Sequence, residues 1–556
     1  MFFIVSLLML VFSSITFTAQ TSLRQKPAYL LAILLTVLAQ IILIAELASL
    51  LRLLTMPVFL LMQVLILSAA IFFWKRNGKP HLLGPWSRIN WHVIRLKGFF
   101  SQHPLLGIWL AITVLIYLLQ AVLILLVPQN NYDSMTYHLS RIGYWLQHHS
   151  LSPWPTPNPR QTTFPMNAEL AVLWTVMFTG GDRWAGFIQW LSVGAISLAG
   201  FGIARLLGAR RPQALFVSLL FANFTGILLQ ATTTQNDLIV SALLATCVYF
   251  LFLARKEASP ALLFFSALAI GVAIGTKSTI AFVLPAFAIC LLIDIVQAKF
   301  RNLRFYLAWG ILSLAAFLLF GAMGYIQNQI TYNNPLSDKI WTEGIINSPI
   351  SRGTLLTANT MFYTYQMLDF SAIPEPAASA LTAGKSWLFS HIIQRLAIPA
   401  EKAIPDQSLS ALLNAPPVIH EDTSWYGLVA FLVLIPAAVY QFVIGFRRRD
   451  DSMRWMLVVM AVGFLLTFSM IVTWSPYKGR YFILPIALVT PLAYFIYSPG
   501  KHQIWSWLIV ILSVILAVNT VLTNPTKPLV GPNAIWGQDR LALRTMTNRA
   551  MQPVIQ

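Results

Sequence analysis

The residues best suited to chemistry begin at Asn130. The stretch Asn130-Asn131-Tyr132-Asp133-Ser134-Met135-Thr136-Tyr137-His138-Leu139-Ser140-Arg141 follows a long apolar run and brings a carboxylate, an imidazole and a guanidinium together. Read locally, Asp133 caps a helix running from Ser134 to His148, with Tyr137, Arg141 and Tyr144 on one face. Read chemically, a carboxylate at a lipid boundary rarely lacks a partner or a task, and Asp133 is suited to take a proton from a hydroxyl. The two readings are compatible.

Three further stretches have the same character. Asp237 closes the polar run Thr232-Thr233-Thr234-Gln235-Asn236-Asp237, as a helix N-cap or as an acid that holds hydroxyls or orients a base. Lys277 lies in Gly275-Thr276-Lys277-Ser278-Thr279. It either snorkels to the interface or holds a phosphate beside a backbone turn. A nucleotide-binding loop is excluded, because the full GxxxxGK[S/T] pattern is not met around Lys277. Arg480 lies in the basic, aromatic run Trp474-Ser475-Pro476-Tyr477-Lys478-Gly479-Arg480-Tyr481, as an interfacial anchor or as part of an anion site. Arg160-Gln161 and His420-Glu421-Asp422 complete the polar set. Three consecutive side chains do not naturally converge on one ion, so the second group is not read as a metal site.

The elements that position these residues must be membrane helices. Of 556 residues 57% are hydrophobic and 10% charged, and the mean hydropathy is +0.71. A soluble domain carries roughly 25% charged residues. Apolar runs predict about 14 spans: 2–18, 29–50, 58–74, 105–127, 184–207, 214–229, 238–253, 261–274, 280–295, 305–325, 425–446, 455–472, 481–496 and 504–521. The net charge of +19 does not indicate nucleic acid, because the basic residues sit in short clusters between apolar runs. Cys247 and Cys290 both lie inside apolar runs, which leaves no disulfide framework.

Every second connection is basic. Together these connections hold 21 of the 37 Lys and Arg but four of the 18 Asp and Glu, from Arg24 and Lys26 through Arg88, Arg95, Lys97 and Arg447-Arg448-Arg449 to Lys501. By the positive-inside rule they are cytoplasmic, which places Asp133, Asp237, Lys277 and Arg480 at the outer ends of spans. The chain divides into an N-terminal extension of three spans and a basic segment (1–104), a transmembrane core (105–326) whose first outer loop is 128–181, a large outer loop (327–424), a second transmembrane bundle (425–522) and an outer tail (523–556). The first loop also holds an amphipathic helix over 167–178. A transporter places its polar groups near the midplane, so chemistry at one face fits better than passage.

In order and sidedness these motifs resemble the GT-C superfamily of membrane-embedded glycosyltransferases, in the bacterial branch of protein O-mannosyltransferases and lipid A aminoarabinose transferase. The resemblance runs from Leu105 to Tyr497. It rests on Asp133 after a span, Arg160-Gln161-Thr162-Thr163-Phe164-Pro165 before a helix, Gln235-Asn236-Asp237-Leu238, Gly275-Thr276-Lys277 and Gly479-Arg480-Tyr481-Phe482. Many relatives have a second acid where this chain has Ser134, and there is no DxD. The resemblance implies an all-α polytopic fold with a GT-C-like core and outer-face loop helices. It implies inverting transfer of a sugar from a polyprenyl-phosphate donor to a hydroxyl on a glycan, lipid or protein. Asp133 would be the general base and Asp237 an orienting acid. Tyr137, His138, Arg141, Arg160, Lys277, Lys478, Arg480 and Tyr481 would bind substrate. The expected setting is the bacterial plasma membrane with its lipids, the site facing the periplasm or exterior. No cofactor or metal ligand is assigned, and a divalent cation is left open. The alternatives are a transporter or flippase for a lipid-linked glycan and a non-catalytic scaffold.

Overall fold

The structure, a computed structural model, describes residues 1–86, 93–336, 350–398, 400–401, 408–447, 452–498, 503–548 and 553. Among these residues helices are the only regular element. Eleven helices are long and apolar enough to cross a membrane, and the protein is an integral membrane protein. Three more apolar helices, Arg211–Ala222, Pro260–Ile274 and Leu284–Gln297, fall short of that length. Each apolar run of the sequence therefore contains helix, but 11 rather than 14 have the length to cross alone. Local breaks account for the shortfall. The run over 214–229 breaks at Asn223, whose side chain donates to Thr113 Oγ1 at 2.8 Å, and resumes as Thr225–Gln230. The run over 280–295 opens in a 3-10 turn, Ser278–Phe282, before its helix.

The helix Asp237–Glu257 is buried along its whole apolar length. A helix that is apolar all round belongs in the interior, and this one packs on Phe187–Leu206, Pro260–Ile274 and Ile483–Val489. Its N-terminal end carries Asp237, so the centre of the bundle leads straight to the candidate site.

The leading helices Phe2–Ala19, Lys26–Leu50 and Met56–Arg76 are joined by buried amide–hydroxyl bonds. Ser13 Oγ donates to Gln40 Oε1 at 2.7 Å and Gln63 Nε2 to Ser6 Oγ at 2.9 Å. Such bonds hold helices together where burying apolar surface supplies no driving force. Trp174 Nε1 also donates to Ser6 Oγ, at 2.8 Å, which ties this group to the helix Asn167–Thr179. That helix is not amphipathic as the sequence pattern suggests. Residues 167–175 are all buried, because the leading helices cover the side read as lipid- or water-facing.

The loop between the transmembrane core and the second bundle holds the helices Arg352–Met367, Ala377–Arg395 and Leu409–Leu413. The tail turns back onto the end of the bundle that carries the first loop, where Arg540 and Arg544 both pair with Asp182. Asp182 is thus an anchor for the tail. Arg88, Arg448, Arg449, Asp450, Asp451 and Lys501 lie outside the described residues, as do the side chains of Arg95 and Lys97 and parts of the 327–424 loop.

Candidate active site

After the Pro104–Leu126 span the chain is pinned by two asparagines. Asn130 Nδ2 donates to the carbonyls of Thr526 (2.7 Å) and Leu543 (3.2 Å) in the tail. Asn131 Oδ1 accepts from the Ser134 amide at 2.8 Å, so Asn131 does the work of an N-cap. Asp133 does not cap. Its backbone is already helical (φ −66°, ψ −40°) and its carboxylate makes no cap bond. The expected helix opens as a π-turn, Ser134–His138, before the α-helix Leu139–His148. The wider turn brings residues five apart onto one face, which sets His138 beside Asp133.

Arg480 arrives from a 3-10 turn, Pro476–Phe482, whose Gly479 carbonyl accepts from the Tyr426 hydroxyl at 2.7 Å. Its guanidinium meets three carboxylates. Nη2 donates to Asp133 Oδ2, Nη1 lies 3.3 Å from Asp422 Oδ1, and Nε is 3.7 Å from Asp237 Oδ2. Lys277 Nζ holds the other oxygen of Asp237 at 2.6 Å, and Arg160 Nη1 is 3.5 Å from Asp133 Oδ1. Arg480 and Asp237 are buried, while a third of the Arg160 side chain is exposed. Tyr481 forms the aromatic wall, with Lys277 Nζ 4.7 Å and Lys478 Nζ 5.4 Å from its ring centre.

Local sequence explains how Lys277 gets there. The helix Pro260–Ile274 ends at Gly275, where a Cβ would lie 2.5 Å from Asn167 Nδ2 and against Gly321 Cα. Only glycine permits that approach. The Gly275 carbonyl accepts from the Asn167 amide at 3.0 Å, and the chain continues extended through Lys277. Asp237 sits in the first turn of its helix, where negative charge is favoured by the helix dipole.

Burial pushes the pKa of Asp133 up, but the charge and hydrogen bond of Arg480 and the charge of Arg160 outweigh it and hold the carboxyl at about 2. Burial and the charge of Asp133 push the Tyr137 phenol well above its usual range. The Arg160 guanidinium lies 5.8 Å from the Tyr137 ring centre.

A second cluster lies behind the first. His138 Nδ1 is 2.5 Å from Glu169 Oε1, and Asn236 Nδ2 reaches the same oxygen at 3.5 Å. Arg141 does not reach the Asp133 carboxylate. It donates to the carbonyls of Phe164 (3.0 Å) and Pro165 (3.4 Å), stacks on Trp145 and lies 3.9 Å from Glu169. The triplet His420-Glu421-Asp422 does not share one centre. Asp422 joins Arg480 and accepts from Gln235 at 2.9 Å. Glu421 is fully buried against Lys527 and also accepts from Thr526 Oγ1 (2.7 Å) and Asn131 (3.2 Å).

The sequence candidates Asp133, Tyr137, His138, Arg160, Asp237, Lys277, Lys478, Arg480 and Tyr481 thus share one neighbourhood, with Arg141 behind them. Sequence reasoning left out Glu169, the use of Asp422 by Arg480, and Lys527. Glu169 had a signal. It is an acid in the first turn of an otherwise apolar helix, in a chain short of acids.

Residues 162–320 match the family model described as dolichyl-phosphate-mannose-protein mannosyltransferase, and over that segment the chain resembles this family. The segment contains Glu169, Asp237 and Lys277 but not Asp133 or Arg480. Two solved structures of ArnT from Cupriavidus metallidurans are similar to the chain at 12% identity. The one bound to undecaprenyl phosphate aligns over 75% of each chain with a TM-score of 0.46, and the apo one over 76% of each with 0.45. No curated protein sequence matches.

Proposed function

We propose that the protein is a GT-C-type membrane glycosyltransferase that moves a sugar from a polyprenyl-phosphate donor to a hydroxyl acceptor on a glycan, lipid or protein. The observation that carries this reading is the convergence of Arg480 and Lys277 with Asp133 and Asp237. The family match over 162–320 adds to it, since the family's description names a polyprenyl-phosphate sugar.

The donor phosphate binds Arg480 and Lys277, whose charges stabilise it as it leaves. A phosphate is a good leaving group, so no acid is needed opposite the base, unlike a glycosidase. A carboxyl held at about 2 is a weak base. When the phosphate takes Arg480, Asp133 loses its main partner and its basicity returns. It then draws the proton from the acceptor hydroxyl while the acceptor oxygen attacks the anomeric carbon from the face opposite the phosphate, with inversion. Asp237 keeps Lys277 and Arg480 in place. The distribution of Lys and Arg supports a site on the periplasmic or extracellular face of a bacterial plasma membrane.

The test is a transfer assay with purified protein in liposomes and a panel of radiolabelled polyprenyl-phosphate sugars. The expected result is a glycosidic product from wild type and none from a folded Asp133→Asn variant. Near-normal turnover by that variant removes Asp133 as base. Flipping of the lipid-linked sugar without any product replaces the reading with transport.

A further inference from the structure

The Glu169–His138 pair has the arrangement of a base and its orienter. Burial disfavours the charged form of Glu169, but its hydrogen bond to His138 and the charge of Arg141 outweigh this and keep it a carboxylate. An ionised carboxylate only accepts, so the hydrogen of the 2.5 Å contact sits on His138 Nδ1. In its neutral form the ring then carries its lone pair on Nε2. That atom is buried and has no hydrogen-bond partner among the described residues. Leaving such an atom unpaired is costly unless a ligand or water meets it.

The charged and titratable groups around the ring come from several elements. Asp133 stands one π-turn back, with Arg480 and Arg160 on its far side. The Tyr137 ring lies 4.1 Å from the imidazole, centre to centre. Glu169 faces it from the helix Asn167–Thr179, with Arg141 beyond.

We propose that His138 is the final proton acceptor of the transfer, with Glu169 as the positioning residue that fixes its tautomer and stabilises the imidazolium. This rests on the transferase reading. The acceptor O–H bond breaks and its proton passes by way of Asp133 and a bridging water to His138 Nε2. The acceptor oxygen forms the new bond to the anomeric carbon. The bond from that carbon to the phosphate oxygen breaks, and its electron pair leaves with the polyprenyl phosphate. The division of labour suits the site: Asp133 lies among cations, whereas His138 is backed by a carboxylate.

Two measurements on full-length protein test this. Nitrogen-15 NMR of histidine-labelled wild type, assigned with His138→Gln, should show hydrogen on Nδ1 and the lone pair on Nε2. Glu169→Gln should lose that single tautomer. In the transfer assay His138→Gln should lower kcat by about 10²–10⁴-fold, the usual range for a lost acid–base group, with donor KM unchanged. Glu169→Gln should lower kcat by a smaller factor, again with donor KM unchanged. Hydrogen on Nε2 in wild type, or a full kcat in His138→Gln, overturns the proposal and leaves the transferase reading intact. Wild type that turns over no donor overturns that reading and the proton role with it.

Discussion

Arg480 donates to the carboxylate of Asp133 across 347 positions of sequence. The bond joins the loop after the Pro104–Leu126 span to a turn late in the chain, and the same guanidinium reaches Asp237 and Asp422. One buried cation among three carboxylates makes each of them dependent on it.

Replacing Arg480 should therefore cost stability as well as activity. Removing one member of a buried ion cluster costs about 3–5 kcal/mol, because the remaining charges are left uncompensated. Arg480→Gln should lower the thermal unfolding temperature and abolish transfer. Arg480→Lys should also fail, since an ammonium cannot serve three acceptors with the fixed fork of a guanidinium.

Asp133 also makes stability depend on pH in an acidic window. Its folded value of about 2 lies below the ordinary ~3.9 of an unfolded aspartate. The group contributes about 2 kcal/mol, fully present above pH ~4 and lost as pH falls toward 2. Unfolding followed from pH 6 to pH 2 should show wild type losing this increment, while Asp133→Asn lacks it throughout.

Gly275 tests the link between packing and site. In Gly275→Ala the new methyl meets Gly321 and Asn167, an overpacking that costs about 1–3 kcal/mol. The displaced turn carries Lys277 away from Asp237, so donor KM should rise along with the loss in thermal stability.

Lys527 should behave as a structural partner of Glu421. Burial pushes the pKa of Glu421 up, but Lys527, Thr526 and Asn131 outweigh it and hold the group below the usual carboxylate range. Lys527→Met leaves a buried charge alone and should destabilise by about 3–5 kcal/mol. Adding Glu421→Gln should restore most of that loss in a thermal unfolding series, which separates the cost of the unpaired charge from the worth of the pair.

Arg160 is the mildest case. Its side chain is one-third exposed, and exposed ion pairs contribute about 0–1 kcal/mol. Arg160→Ala should leave the unfolding temperature nearly unchanged. Any effect should appear in donor or acceptor KM.

Much of the architecture was already readable along the chain. Apolar runs of spanning length need no partner to declare themselves, because lipid forces every backbone group to pair within its own helix. The alternation of Lys and Arg assigned Asp133, Asp237, Lys277 and Arg480 to the same ends of their helices before any packing was known, and there they meet. Where the helices break, at Asn223 or before Leu284, was set by polar side chains and turns whose partners lie elsewhere.

Tertiary structure alone decided which charges meet. Asp133 looked like a helix cap because the pattern cannot show that Asn131 fills that place, or that a π-turn sets His138 beside it. Glu169 looked like one residue of a surface helix until the leading helices covered it and left His138 as its partner. Asp422 and Lys527 come from a loop and a tail with no periodicity, and their contacts depend on how those segments fold back. Hydropathy and charge along a chain fix depth and side, since each span answers to lipid independently. Pairing within a low-dielectric site is a property of several segments at once, and only their packing determines it.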